Sequence, residues 1–311
     1  IGRTGEVVAP LQEMSDAGAI GFSDDGDSTR NSQAMREALE WSESSGEPIM
    51  VHCEDWSLIN GGVMHEGAVS RELGLPGIPA AAEEIILNRD VELARITGGW
   101  LHALHVSTAR GVRLIRRAKN EGVLVTAEAM PHHLLMTDEW VAGRRSFVDG
   151  PSFGSRPSPD PLAKVNPPLR TADDARALLS GVIDGTIDII ATDHAPHAAA
   201  DKSDDLTKAA SGMLGLEVSV PMLMELVRSD RLTLSLLVDL LSCKPARLFN
   251  LPGGTLRPGS VADLTIIDPD REWTVSEDTI VSKSKNTPLL GATLRGQAML
   301  TMVEGEIRFH V

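Results

Sequence analysis

The sequence has 311 residues, 42% hydrophobic and 23% charged, an ordinary globular balance with room for one large domain and a smaller one. A net charge of −15, few aromatic residues and no Tyr exclude a basic, base-stacking surface for nucleic acid. Two cysteines, Cys53 and Cys243, are too few for a disulfide framework, and no apolar run is long enough for a membrane span or a signal-peptide core, so a cytoplasmic setting is expected.

The first two-thirds of the chain alternates short apolar strands with amphipathic helices. Residues 19–25, "AIGFSDD", read as a strand that stops at three acids, Asp24, Asp25 and Asp27. A helix follows, with Asn31 or Ser32 as cap, Met35, Ala38 and Leu39 on one face and Gly46 at the stop. Residues 48–55 form the next strand, 80–97 a helix, 101–107 a strand and 108–122 a helix with Val112, Leu114, Ile115 and Ala118 inward. A fourth strand, 123–130, ends at "PHH"; the Pro/Gly/Ser-rich stretch 142–168 is irregular; a helix begins at Ala172; and 187–197, "IDIIATDHAPH", is the fifth strand. This alternation predicts right-handed βαβ units and a parallel sheet. From Gly253 onward the pattern becomes alternating and turn-rich, which predicts two parts: an α/β domain over 1–252 and part of a small β-sandwich over 253–311.

Every predicted strand ends in a group that binds metal or moves protons. These are Asp24 and Asp25, then His52, then His105, then His132 and His133, then Asp193, His194 and His197. In parallel α/β folds that rim is where sites are built. Singly, each has an ordinary explanation: Asp24 and Asp25 as a turn or helix cap, His132 and His133 as a structural turn, His102 as a packed mid-strand residue. Jointly, carboxylates and imidazoles without a thiolate point to a borderline divalent ion, with zinc expected, and to hydrolysis of an amide or its reverse. Cys53 follows His52 but alternation turns it to the other face. His65 and His310 have no supporting context.

The segments "GFSDDG", "VHCED", "LHALHVSTARGVRLIRRAKNEGVLVTAEAMPHHL", "VNPPLR", "DGTIDIIATDHAPH" and "SKSKNTPLLG" resemble dihydroorotases of the type I class, within the amidohydrolase superfamily. The resemblance covers nearly the whole chain. It implies one or two zinc ions, with Asp25 in place of the carboxylated lysine of related cyclic amidases, and His52 and His105 as further ligands. It implies that Asp193 is both ligand and general acid/base. Asn166 and His197 would contact the substrate, and Gly212 and Gly215 would offer it backbone groups. The implied reaction is the reversible cyclisation of N-carbamoyl-L-aspartate to L-dihydroorotate in pyrimidine synthesis. The implied partners are that small molecule and either a second copy or aspartate transcarbamoylase, with no nucleic acid and no membrane.

Two departures accompany the resemblance. The family's first strand ends in His-x-His followed by an Arg, and neither occurs here. The five strands are therefore expected to be the fourth to eighth of an incomplete (β/α)8 barrel, the chain alone binding metal weakly and having little activity. Residues 141–164 are longer than expected, and read either as a lid over the site or as a surface insertion. The alternatives kept open are another cyclic amidase (hydantoinase, dihydropyrimidinase or allantoinase) and a non-catalytic structural partner of aspartate transcarbamoylase.

Overall fold

The computed structural model describes residues 4–311; the first three residues of the expected 1–252 domain lie outside the described residues. Five short parallel strands form one sheet in chain order: β1 (Phe22–Ser23), β2 (Ile49–Val51), β3 (Leu101–Ala103), β4 (Val125–Ala129) and β5 (Ile189–Ile190). The register pairs Phe22 with Ile49, Ile49 with Leu101, Leu101 with Val125, and Glu128 with Ile189.

The helices between them start and stop where local chemistry dictates. The Asn31 side chain accepts the amides of Gln33 and Ala34 to open Ser32–Ser45, and Gly46 closes it in the left-handed region. Thr108 caps Ala109–Asn120, and Thr171 and Asp174 make a reciprocal capping box on Ala172–Asp184. Their inward faces, with Leu39, Ile115 and Leu178 fully buried, close over Leu101, Ala103 and Ala127 of the sheet. Burying both faces of the sheet is what a parallel ladder requires.

Regular pairing is shorter than the apolar runs suggest. The predicted strands 19–25, 101–107 and 187–197 keep ladder geometry only to residues 23, 103 and 190. Beyond the last paired residue the backbone leaves the β region to aim side chains at the rim. His105 has φ +31 and Asp193 φ +46, a conformation costly for non-glycine residues and concentrated at functional sites. Two backbone bonds hold the bend at His105: Leu104 N donates to Val51 O (3.1 Å) and Val106 N to Glu128 O (3.0 Å).

The stretch 142–168 contains a small ladder, Arg144–Ser146 with Ser152–Ser155. It is stitched down rather than free. The buried Arg145 guanidinium donates to the carbonyls of Phe153, Pro288 and Leu290, and Phe147 and Phe153 pack on the buried Trp140.

At the C-terminal end, β6 (Leu264–Thr274), β7 (Thr293–Val303) and β8 (Glu306–His310) form an antiparallel sheet in that order. The connection between β6 and β7 returns to the main body: Val275, Ile280, Leu289 and Ala292 join its core. Among the described residues, no helix is long and apolar enough to cross a membrane.

Candidate metal centre

Three strand ends deliver side chains to one point. His52 Nδ1 lies 2.9 Å from His105 Nε2, which lies 3.2 Å from Asp25 Oδ1; His52 Nδ1 and Asp25 Oδ1 are 3.7 Å apart. Both imidazoles are buried and Asp25 is open to solvent. Two ring nitrogens at this separation cannot both present lone pairs to each other. A proton or a shared cation must lie between them.

The electrostatics agree. Hydrogen bonds from His105 and then His52 hold the Asp25 carboxyl far below the usual carboxylate range, against its partial burial. Burial by itself would lower His52, but Asp25 and Glu54 outweigh it and raise the ring to about 9. One carboxylate oxygen and two imidazole nitrogens within 4.8 Å of one another suit a borderline divalent metal ion.

The groups behind these three orient them. Glu54, two residues after His52, is buried with Oε2 3.2 Å from His52 Nε2. In the neutral ring this places the proton on Nε2 and turns the Nδ1 lone pair toward Asp25 and His105. Asn166 Nδ2 donates to the same Glu54 oxygen at 3.1 Å. Asp24 has a different task from its neighbour. Its Oδ2 accepts Thr29 N and Oγ1, and its Oδ1 accepts the backbone N–H of His52, all at 2.8 Å. Behind His105, buried Glu83 accepts the amides and hydroxyls of Ser107 and Thr108.

The other expected residues lie around this cluster. Asp193 is not among the three whose donor atoms converge, yet its carboxyl feels the charges of His105, Asp25, Glu128 and His52. Burial raises it to about 6. His197 Nε2 donates to Ser211 O at 2.8 Å, leaving Nδ1 for another partner. Gly212 has φ +131, and a Cβ there would sit 2.6 Å from the Ala195 methyl carbon and 2.9 Å from His197 Nε2. A Cβ on Gly215 would meet the Thr192 carbonyl oxygen at 2.5 Å.

His194 Nδ1 accepts the amides of Gly215 and Leu216, tying the end of β5 to the helix Leu216–Arg228. His133 Nε2 donates to Pro167 O at 2.9 Å and steadies the segment that carries Asn166. His102 is fully buried, with Nδ1 2.8 Å from Thr126 Oγ1 and Nε2 3.3 Å from Glu128 Oε2, as a packed mid-strand residue. His65, for which the sequence offered no context, is buried beside Arg170 Nη1 at 3.3 Å.

Glu54 and Asn286 are neighbours of the expected site residues that the sequence reading did not single out. Glu54 carried a signal, since it follows His52 by two in an extended segment and so shares its face. Asn286 stood in the resembling segment "SKSKNTPLLG", but its part in the rim was not readable, because its partners are more than seventy residues away.

Residues 3–308 match the profile of the Amidohydrolase family. The chain belongs to the amidohydrolase family. This amidohydrolase is 46% identical over 306 residues to the dihydroorotase of Geobacter metallireducens, an alignment covering 98% of this chain and 69% of that protein. It is likewise 46% identical over 306 residues to the dihydroorotase of Syntrophus aciditrophicus, covering 98% and 68%. At that identity and coverage the amidohydrolase belongs with the dihydroorotases. Among solved structures it superposes on the L-hydantoinase (dihydropyrimidinase) from Arthrobacter aurescens with TM-score 0.79 and 29% identity, covering 96% of this chain and 67% of that one. A D-hydantoinase (dihydropyrimidinase) from Thermus sp. shares the fold with TM-score 0.79 at 24% identity, covering 96% and 66%. The architecture is thus the TIM-barrel-type amidohydrolase fold, with a parallel sheet and a C-terminal antiparallel one.

Proposed function

We propose that this amidohydrolase acts as a dihydroorotase, interconverting N-carbamoyl-L-aspartate and L-dihydroorotate. The observation that carries the reading is the convergence of Asp25, His52 and His105 at the ends of three adjacent parallel strands. Those residues would hold zinc, as one ion or two, with Asp193 completing the site. When bound, such a cation polarises a carbonyl and lowers the pKa of water.

The chain's own residues supply the rest. Asp193, on the strand end beside that cluster, is the carboxylate placed to exchange the proton. In ring opening its carboxylate accepts a proton from the water adding to the ring carbonyl and passes it to the departing ring nitrogen. Cyclisation runs the same transfers backwards. Asn166, fixed by Glu54, and His197, fixed by Ser211, orient the substrate's amide and carboxylate, and Gly212 and Gly215 let the backbone approach it closely.

The five strands correspond, in this reading, to strands four to eight of an incomplete (β/α)8 barrel. Their order along the sheet follows the chain, as in a barrel wall, and an apolar cavity of about 320 Å³ lined by Leu11, Phe22, Met35 and Ile49 lies beside the terminal strand β1. The division into 1–252 and 253–311 is kept as an organisational proposal, with β6–β8 as part of a small sandwich. A cytoplasmic setting and association with a second copy or with aspartate transcarbamoylase complete it.

The test is a substrate panel on the metal-loaded protein. Carbamoyl aspartate cyclisation that is lost to chelation and restored by zinc supports the reading. Turnover of hydantoin, dihydrouracil or allantoin in its place transfers the protein to another cyclic amidase, and zinc-independent turnover removes the metal assignment.

A further inference from the structure

The rim around His197 is assembled from two segments, 193–197 and 211–216, joined in backbone pairing by a single bridge between His194 and Met213 and a bond from Ala195 N to Met213 O. So small a ladder does not set the spacing of two loops. A third segment spans them. Asn286 is 4% exposed, and its Nδ2 donates to Ala195 O at 2.9 Å and to Gly212 O at 3.2 Å. Its Oδ1 accepts the backbone N–H of His197 at 3.1 Å, and its own carbonyl accepts Leu214 N at 3.0 Å.

Two amide hydrogens meet two carbonyls, and the amide oxygen meets one N–H, so the whole group is used with correct polarity. No other side chain of this size satisfies that set. Aspartate would press a carboxylate oxygen against two carbonyl oxygens, and leucine would leave three backbone polar groups without this partner. The strand of chain bearing Asn286 is itself anchored. Lys285 Nζ donates to Ile280 O at 2.7 Å, and Arg145 holds the carbonyls of Pro288 and Leu290.

We propose that Asn286 is a positioning residue for substrate binding: it sets the distance between the Ala195–His197 and Gly212–Leu214 segments, and through them the placement of the His197 ring and the Gly212 backbone. The inference rests on the reading of His197 and Gly212 as substrate contacts. It assigns the connection between β6 and β7 a part in the site that its place in a separate β segment does not suggest.

The experiment compares Asn286→Ala and Asn286→Asp with the parent in three readouts: hydrogen exchange of the 195–199 backbone, bound metal, and kcat and KM for carbamoyl aspartate. In Asn286→Ala, exchange at the His197 amide rises about tenfold, as its hydrogen bond to Oδ1 is lost, and KM rises at least about tenfold, as the bonds to Ala195 O and Gly212 O are lost with it, while kcat stays within about threefold and metal content is unchanged. Asn286→Asp keeps the acceptor for His197 and its protection, but raises KM further because its second oxygen repels two carbonyls. Being nearly isosteric, it keeps the idea testable if the alanine variant does not fold.

Unchanged exchange and unchanged KM in Asn286→Ala overturn the proposal. So does a parallel loss of metal, kcat and folded protein in both variants, which marks a purely structural role. Raised exchange in a protein inert toward carbamoyl aspartate upholds the clamp and removes the proposed substrate.

Discussion

The two halves of the rim are built on opposite plans. Around Asp25, His52 and His105 the work is done by side chains whose charged or chargeable atoms crowd within 4.8 Å of one another. Around Asp193 and His197 it is done by backbone, with two loops held at a fixed separation by His194, Asn286 and the His197–Ser211 bond. The first half gathers a carboxylate and two imidazoles whose charges complement one another, with Asp25 held low and His52 raised. The second needs shape, and glycine at 212 and 215 provides it. In the proposed function the two are complementary: concentrated charge where the bond would break, and a rigid frame where the ring would be recognised.

Asp193 stands where the halves meet, so its removal gives the largest effect. Asp193→Asn is expected to lower kcat by about 10²–10⁴ while reducing bound metal less than Asp25→Ala does, measured by turnover and by metal analysis on the same samples. A kcat within a few-fold of the parent's removes Asp193 from proton transfer.

The adjacent acids test the charge half directly. Asp25→Ala should lose most bound metal. Asp24→Ala should keep more metal but lose about 1–3 kcal/mol of stability, since the hydrogen bonds to Thr29 and His52 go unmade. Equal metal loss in the two variants would show that the carboxylates share one role.

Behind this half, Asp90 is wholly buried, and burial raises its carboxyl from 3.8 to about 6, only partly offset by Arg89. The folded state therefore holds the proton more tightly than the unfolded one. The stabilisation this gives is complete below the ordinary value and is lost as pH rises through about 6. Asp90→Asn removes that dependence and keeps the acceptor for Arg89. The variant should gain on the parent as pH rises through this window, by up to about 3 kcal/mol. Superimposable pH profiles of thermal unfolding would count against it.

The smallest expected change separates orientation from ligation. Glu54→Gln should weaken metal binding by about 10–100-fold, because the neutral amide no longer steers the His52 proton. Full affinity in that variant would make Glu54 a bystander.

Much of this was readable without a structure. The caps at Asn31 and Thr108 and the stop at Gly46 are chemistry between near neighbours in the chain, so the helices they bound were legible. The rim residues were legible because a parallel strand presents its carboxyl end to one side, whatever its partners. Strand length was not. The expected strands 101–107 and 187–197 run past the last paired residue for different reasons: Val106 and Ser107 stay buried beyond Ala103, whereas 191–197 leave the core after Ile190 and carry mostly polar side chains. Nor was the anchoring of 141–164, which depends on Arg145 meeting carbonyls in the 288–290 segment.

By itself, then, the sequence determined which elements form, in what order, and which side chains stand at the strand ends, since those follow from periodicity and capping over a few residues. Tertiary structure alone decided which atoms face one another. It bent the backbone at His105 and Asp193, set Asn166 against Glu54, and brought Asn286 across to two loops remote in sequence. Hydrogen bonds of that kind depend on register and packing between distant segments, and no local pattern of residues encodes them.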